Sequence, residues 1–508
     1  MKQKGELSRG AKLKLNSVAA LVNQIVVIIH GLILPRLYIN CFGSKTYGLT
    51  SSITQFLGVV SLMELGMGAV VQSALYFPLA HNDNVKISQI VKSAERFFSK
   101  IGLALAGYTV VLAFVYPGFI NKDFSWFFEA SLIIIVSISS LAEYFFGITY
   151  RLLVVADQRG YINCLIQCTS YIVNIIVCTI LMKYGHTIHV VKFASAVVFL
   201  LKPIVLMRYV RRKYYINKDI SYTEEPIKQK WNGVAQHIAY YVTQHTDILV
   251  LTLFSSLENV SVYSVYNIVT NGISTLIYSL NNGTQALLGN MLARREDREL
   301  VDFFGKLEWT IHNIVVFFYA CVGILIVSFV KVYTIGVNDA EYMQPLFAAV
   351  FTLSSAVYCL RLPYNMMVNA AGHYKQTQMS SIIEMCLNVG ITLTLVPKFG
   401  LVGAAMGTLF ALSYRTVYLA KYISKNIITH DFKNFVRRIA KDICIAALII
   451  ISTLNIKMQD ISYTSWIIMA FKVAFVACIE LIGFNLIFDK RFMTTMLKKR
   501  KDKSGGQK

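Results

Sequence analysis

The chain has 508 residues, 56% of them hydrophobic and only 15% charged, with a mean hydropathy of +0.55, where soluble globular proteins carry about 25% charged residues. That composition excludes a soluble enzyme. The formal charge of +22, from 49 Lys and Arg against 27 Asp and Glu, would point to nucleic acid in a soluble chain, but here the location of the charges decides.

A bilayer core takes about 20 apolar residues per helix, so fourteen helices would use roughly 280 residues and leave short connections. Apolar stretches bounded by polar clusters predict spans at about Leu15 to Leu37, Tyr47 to Leu75, Ile101 to Tyr116, Ala130 to Val154, Tyr161 to Met182 and Val190 to Met207. After a polar stretch the pattern resumes at Gly233 to Phe254, Tyr263 to Leu292, Ile311 to Val332, Leu346 to Val368, Met379 to Val396 and Leu401 to Leu419. Ile443 to Ile456 and Ser465 to Ile487 complete fourteen. The implied fold class is an all-α polytopic membrane protein. Its predicted organisation is a basic N-terminus (1–14), a first lobe of six spans (15–210), a linker (211–230), a second lobe of six (231–421), the last two spans (422–495) and a basic tail (496–508).

The first span follows Lys2, Lys4, Arg9, Lys12 and Lys14 but contains Asn16, Asn23, Gln24 and His30 and lacks a small-residue cleavage site, so it reads as an uncleaved helix. With a cytoplasmic N-terminus, most Lys and Arg fall at cytoplasmic ends and loops, as the positive-inside rule requires. Both termini are then cytoplasmic, the basic excess needs no nucleic acid, and the Lys498-Lys499-Arg500-Lys501 run sits near anionic headgroups. Membrane lipids are thus expected partners. Nine cysteines include no CxxC or zinc spacing, and Cys164 and Cys168 read as packing residues. No P-loop, HExxH, GxSxG or EF-hand pattern occurs, so no cofactor, metal or catalytic residue is indicated.

Two pieces of chain share punctuation about 215 residues apart. Asn174 matches Asn388, Lys183-Tyr184-Gly185 matches Lys398-Phe399-Gly400, Gly66 matches Gly283, and Gly160-Tyr161 sits where His373-Tyr374 recurs. Six spans per repeat is an even number, so the repeats are parallel and form two lobes about a central cavity, with the last two helices outside them. Such transporters bind near the midplane and alternate between inward-open and outward-open states.

Gly43-Ser44-Lys45-Thr46-Tyr47-Gly48-Leu49, Glu64-Leu65-Gly66, Leu75-Tyr76-Phe77-Pro78-Leu79-Ala80, Asp157-Gln158-Arg159-Gly160-Tyr161, Asp247 before Tyr263, and Asn369-Ala370-Ala371-Gly372 together resemble bacterial polysaccharide flippases over about residues 10 to 425. The resemblance is to the Wzx-type branch of the multidrug/oligosaccharidyl-lipid/polysaccharide (MOP) exporter superfamily. It implies that undecaprenyl-pyrophosphate-linked repeat units for surface polysaccharide, O-antigen or capsule, are moved across the bacterial inner membrane. It also implies a cavity lined by the first, second, seventh and eighth helices, a lipid-tail groove flanked by the last two, and other polysaccharide assembly proteins as partners.

Intramembrane ions normally face a cavity or a partner. Lys202 and Arg415, equivalent by the repeat, lie near cytoplasmic ends and can snorkel toward headgroups. Glu64, Glu143, Asp247 and Arg361 have no like-signed counterpart in the other repeat, and His30 falls opposite Asp247. Glu64, Glu143, Asp247 and His30 are therefore candidates for ion coupling, with a core histidine or a fixed carboxylate as the competing reading. In the seventh span His237, Tyr240, Gln244 and Asp247 share a face; so do Ser51, Thr54, Gly58, Ser61 and Gly68 in the second, and Asn267, Asn271, Ser274, Tyr278, Asn281 and Gln285 in the eighth. Three polar stripes could line a wet cavity, although interhelical hydrogen bonding would use the same residues. For a pyrophosphate, cations and amide donors are needed. Arg361, beside Tyr358, Asn365 and Asn369 and near Pro363, is the predicted cation, with an ion pair to Glu143 or Glu64 as the alternative. Candidate substrate contacts are Arg361, Asn365, Asn281, Gln285, Tyr240 and Gln244.

Three other classes share parts of this pattern. A multidrug antiporter of the same superfamily would usually end at twelve spans, a flippase for lipid-linked peptidoglycan precursor also has fourteen, and a membrane glycosyltransferase or polymerase would display a sizeable exterior loop.

Overall fold

The computed structural model describes residues 9–64, 66–119, 123–217, 219–222, 225–227, 234–280, 284–429 and 431–490. Asn281, Gly283, Leu65, the first eight residues, the tail and part of the 211–230 linker lie outside the described residues. Among the described residues all regular structure is helical. The helices are α1 (Arg9–Gly58), α2 (Met67–His81), α3 (Asn84–Phe119), α4 (Trp126–Ala142), α5 (Ile148–Ala156), α6 (Gly160–Lys183), α7 (Ile188–Lys213), α8 (Val234–Phe254) and α9 (Leu257–Leu280). They continue as α10 (Thr284–Ala293), α11 (Asp297–Tyr333), α12 (Pro345–Leu360), α13 (Leu362–Ala370), α14 (Tyr374–Phe399), α15 (Leu401–Asn426), α16 (Phe432–Thr453) and α17 (Tyr463–Phe488).

Nine stretches among the described residues are long and apolar enough on their own to cross a bilayer. The first, Lys14–Glu64, holds the first predicted span and the start of the second, because α1 breaks at Gly43, whose φ of 82° admits glycine at no steric cost. The predicted spans that are not wholly among those nine fall on α2, α8, α9 with α10, α15 and α16. Three of them, the second, seventh and eighth, are among the four expected to line a cavity.

Two predicted spans are much longer than their apolar parts. At 36 and 37 residues, α3 and α11 run for about 54 and 55 Å, well beyond a hydrocarbon core of about 30 Å. The excess in α3 is its polar start, with Lys86, Lys92, Glu95, Arg96 and Lys100. The fourth span is interrupted by a π-turn at Glu143–Gly147, a feature that hydrophobic periodicity does not announce.

The repeat reappears in the backbone. Left-handed residues punctuate it at matching places: Asn82 and Arg295 are 213 apart, Gln158 and Gly372 are 214 apart, and Gly185 and Gly400 are 215 apart. Each pair ends the equivalent helix, where a left-handed residue lets the chain turn back. Asn174 and Asn388 are both fully buried, in α6 and α14, and bond His30 and Thr408 respectively. Close packing of α14 on α15 depends on Gly407, since a Cβ there would collide with Thr392.

By packing, the chain forms two compact units, Met1–Ser261 and Val262–Lys508. The first holds α1 to α8, because α8 packs on α1; the second holds most of α9 and everything after it. In the second unit α16 and α17 lie on α11. The Trp309 indole donates to Asn485 at 2.9 Å, Asn485 donates to Asn313 at 2.6 Å, and His312 meets Asp442 at 2.6 Å. The last two helices are therefore fastened by buried polar contacts as well as by apolar area.

Candidate functional site

In the first unit the second span runs from Gly43 to Gly58 in α-helix, tightens into a 3-10 segment at Val59–Glu64 and re-enters helix at α2. The end of an α-helix leaves carbonyls without intrahelical partners, and two hydroxyls take the Gly58 carbonyl: Tyr241 donates at 2.5 Å and Ser61 at 2.9 Å. The Tyr241 ring stacks on His245 at 4.0 Å, and His245 bonds Gln55. Tyr144, in the π-turn, donates to Glu64 at 2.7 Å. This is a polar seam between the second span, the fourth and α8, built from neutral groups around one carboxylate.

A second cluster in the same unit centres on Glu143, which faces Arg151 at 3.4 Å and Lys202 of α7 at 3.7 Å. In the second unit Glu384 of α14 is held by Arg361 and, at 2.6 Å, by Arg415 of α15. Arg361 sits in the break between α12 and α13, 5.4 Å from the Tyr358 ring, which stacks on Tyr278. Each cluster is one carboxylate between two cations, and each has one cation on the sixth helix of its repeat.

These contacts correct the sequence reading at three points. Arg415 does not reach for headgroups: it is buried against Glu384. Lys202 is turned to Glu143. Arg361 pairs with Glu384 rather than with Glu143 or Glu64, and it too is buried.

The other candidates fall as follows. Tyr240 and Gln244 are exposed along α8 and Gln285 along α10, Asn365 is half-buried in α13, and Asn281 lies outside the described residues. Asp247 is only 3% exposed. His30 bonds Asn174 at 3.0 Å and packs on Tyr171 at 4.5 Å. The eighth-span stripe is split: Asn271 is exposed, whereas Ser274 turns inward to meet the Tyr319 hydroxyl at 2.6 Å.

Sequence reasoning passed over Glu384, Glu129, Glu308 and Asp442, all buried acids within helices. The signal was available, since an acid inside an apolar span is itself a functional candidate. Gln55, Tyr241 and His245 were missed because only the path of the second span brings them together. The Asp157-Gln158-Arg159-Gly160-Tyr161 motif is a turn between α5 and α6: Asp157 accepts from Arg159 at 2.6 Å and Tyr214 at 2.5 Å, and Asn16 clamps Gln158 and Tyr161. Burial first, and then the Asp157 bond, push the Tyr214 phenol above its ordinary range.

The fold defined by these elements is shared with solved structures of a lipid II flippase and of MATE transporters. Over 94% of its length the chain is similar to a structure of the lipid II flippase MurJ in an inward closed conformation, with a TM-score of 0.70, 15% identity and 100% of that chain covered. It is similar to the Vibrio cholerae MATE transporter VcmN, with a TM-score of 0.58 and 12% identity over 82% of this chain and 97% of that one. An outward-facing multidrug resistance MATE family transporter of the MOP superfamily matches at TM-score 0.53 and 12% identity, over 83% and 99%. No protein-family model matches the sequence, and no curated protein does. These neighbours are transporters rather than enzymes, and the chain is a multi-pass membrane protein with their fold.

Proposed function

We propose that the chain is a flippase of the polysaccharide branch, moving undecaprenyl-pyrophosphate-linked oligosaccharide repeat units from the cytoplasmic to the outer leaflet by alternating access, coupled to an ion gradient. The observation that carries a lipid-linked substrate is coverage of this chain: the lipid II flippase structure matches 94% of it, while the MATE matches stop at 82% and 83%. The difference is comparable to the last two helices, whose buried polar anchors on α11 mark them as an integral part of the second unit. The polysaccharide assignment over the lipid II one rests on the local motifs alone.

In this reading the exposed Tyr240, Gln244 and Gln285, with Asn281 and Asn365, offer donors to sugars and phosphates. Arg361 reaches a pyrophosphate only by exchanging Glu384 for it, which Arg415 makes feasible by remaining on the carboxylate. Asp247, Glu64, Glu143 and His30 are the ion-coupling candidates. The inner membrane of a bacterium is the expected site, with both termini cytoplasmic.

The deciding experiment deletes the gene in its source organism and identifies by mass spectrometry which lipid-linked species accumulates. An undecaprenyl-pyrophosphate oligosaccharide is expected; lipid II would move the assignment to the peptidoglycan precursor, and no accumulation with increased drug sensitivity would move it to multidrug export. Orientation is checked by cysteine labelling in intact cells after removal of Cys41. Cysteines at Lys218 and Arg295 should be shielded from an impermeant thiol reagent, and those at Asn121 and Asn338 should react.

A further inference from the structure

Glu129 lies in the first turn of α4, where its backbone N–H continues the helix from Ser125. Its side chain is 0% exposed, among Ala130, Leu132 and Ile133, which are buried too. Neither carboxyl oxygen has a hydrogen-bond partner. An ionised carboxylate so placed would lose its hydration and gain no donor in return, a cost that proteins avoid by neutralising the group.

We propose that Glu129 is a proton-binding site, neutral in the conformation seen here, and that it takes up and releases a proton as the end of the first unit opposite the N-terminus closes and opens. The ligand is a proton rather than a metal ion, because a sodium-sized cation needs several oxygen ligands around it, whereas neither Glu129 oxygen has a polar partner within hydrogen-bond reach. Opening of this end would hydrate the carboxyl and favour its ionised form.

The ionisable groups that neighbouring elements bring to this end are otherwise engaged. Tyr116 of α3 donates to Ser52 of α1 at 2.8 Å, and Thr252 of α8 donates to the same Ser52 at 2.9 Å. His189 of α7 meets the Phe128 carbonyl at 3.0 Å, and Lys192, a turn further on, lies 4.1 Å from the Tyr38 ring. Asp123, before α4, is paired with Lys45 of α1 at 3.1 Å. Glu143, in the π-turn packed on α4, is fourteen residues beyond Glu129, about 21 Å along the helix axis. Tyr116 and Asp123 are near enough to couple to Glu129 electrostatically. The Tyr116–Ser52–Thr252 chain ties α3, α1 and α8 together beside this acid, so separation of those helices is the event that would admit water.

Proton binding and proton coupling are tested separately, because only the second rests on the transport reading. Infrared difference spectra of the purified protein, wild type against Glu129→Gln, should show a protonated carboxyl stretch that the variant lacks; Glu129→Leu, a neutral apolar replacement, should lack it as well and serves if the glutamine variant does not fold. Absence of that band from the wild type at neutral pH would overturn the proton site. In vesicles, the ratio of flipping with an imposed proton gradient to flipping without one should exceed one for the wild type and fall to one for Glu129→Gln. A ratio unchanged in the variant would overturn the coupling role. Wild-type vesicles that flip no lipid-linked oligosaccharide would overturn the transport reading and with it the coupling role, while the infrared band would still decide the site.

Discussion

The two repeats solve the same problem, a carboxylate between two cations, in different surroundings. Around Glu143 the acid is 23% exposed, its partners stand at 3.4 and 3.7 Å, and it sits in a π-turn. Around Glu384 the acid is 2% exposed and both arginines are in direct contact, across three helices. The first arrangement is partly exposed, loose and set in an irregular helix; the second is buried and tightly paired, although the Nε of each arginine is left without a partner. Low dielectric makes the second far more sensitive to the loss of a partner. Both units contain an interrupted span, at the π-turn in the first and at Arg361 in the second, but in the second unit the unbroken α11 also serves as a post for α16 and α17.

The comparison breaks most visibly at Glu384. Two arginines share one carboxylate, so the cluster holds a net positive charge, and Glu384→Gln should strand two buried guanidiniums. A loss of about 3–5 kcal/mol is expected, read as failure to accumulate in membranes or as a collapse of the detergent unfolding temperature. Removal of one arginine leaves a balanced pair, so Arg361→Met should cost distinctly less than Glu384→Gln and remain in the membrane. If Arg361 also meets the substrate, Arg361→Met should lose export out of proportion to stability, and Arg361→Lys should keep part of it, since Lys retains the charge without the bidentate fork. Equal losses for Glu384→Gln and Arg361→Met would remove the net-charge argument. The same change in the looser cluster, Glu143→Gln, should cost about 1 kcal/mol or less.

Next in size are the anchors of the last two helices. Asp442→Ala removes the partner of His312, whose other ring nitrogen lies 3.2 Å from the Tyr364 hydroxyl, which in turn donates to Glu308 at 2.6 Å. A buried network with one member deleted loses about 1–3 kcal/mol. Protease accessibility of α16 and α17 should rise with it, and unaltered accessibility would mean that apolar packing alone holds them. A smaller loss, about 1–2 kcal/mol, is expected for Tyr144→Phe, which leaves Glu64 without its donor; flipping assays that show no change would exclude the seam from the transport cycle.

Much of this architecture was legible in the chain. The all-helical membrane class follows from hydropathy, and the repeat from Asn174 and Asn388 and from glycines such as Gly185 and Gly400, because backbone punctuation is local and recurs with the helices. Partner choice was not legible. Glu384 and Arg361 are 23 residues apart and Glu384 and Arg415 are 31 apart, on helices whose rotation about their own axes periodicity does not fix. A constant offset also misled: the acid of the second cluster sits on the fifth helix of its repeat, not the fourth, so no residue opposite Glu143 announces it. The π-turn and the 3-10 segment leave the 3.6-residue pattern almost intact, so the seam they create appears only in three dimensions. Rings and hydroxyls from α8 then complete it, which no reading of one span at a time supplies.

The smallest effect is expected at an exposed ion pair of the first unit. Lys45 follows the α1 break and bridges Asp123 at 3.1 Å and Glu258 at 3.4 Å, with the three side chains 46%, 43% and 24% exposed. Exposed pairs contribute little, so Lys45→Met should leave the unfolding temperature unchanged. The hydrogen bond to Asp123, and then the charge of Glu258, hold the ammonium above its ordinary 10.5. A raised cationic group contributes fully below that value and loses its contribution only as pH rises through the raised one, so no pH dependence from Lys45 is expected near neutrality. The readout is local. If the bridge restrains the loop before α4, amide exchange over residues 123 to 129 should quicken by severalfold at most in Lys45→Met, and similarly for the wild type in high salt, where exposed charges are screened. Exchange unchanged in both would assign the restraint to the Ser125 cap and to Phe124 stacked on Phe128 at 5.0 Å, that is, to packing rather than to charge.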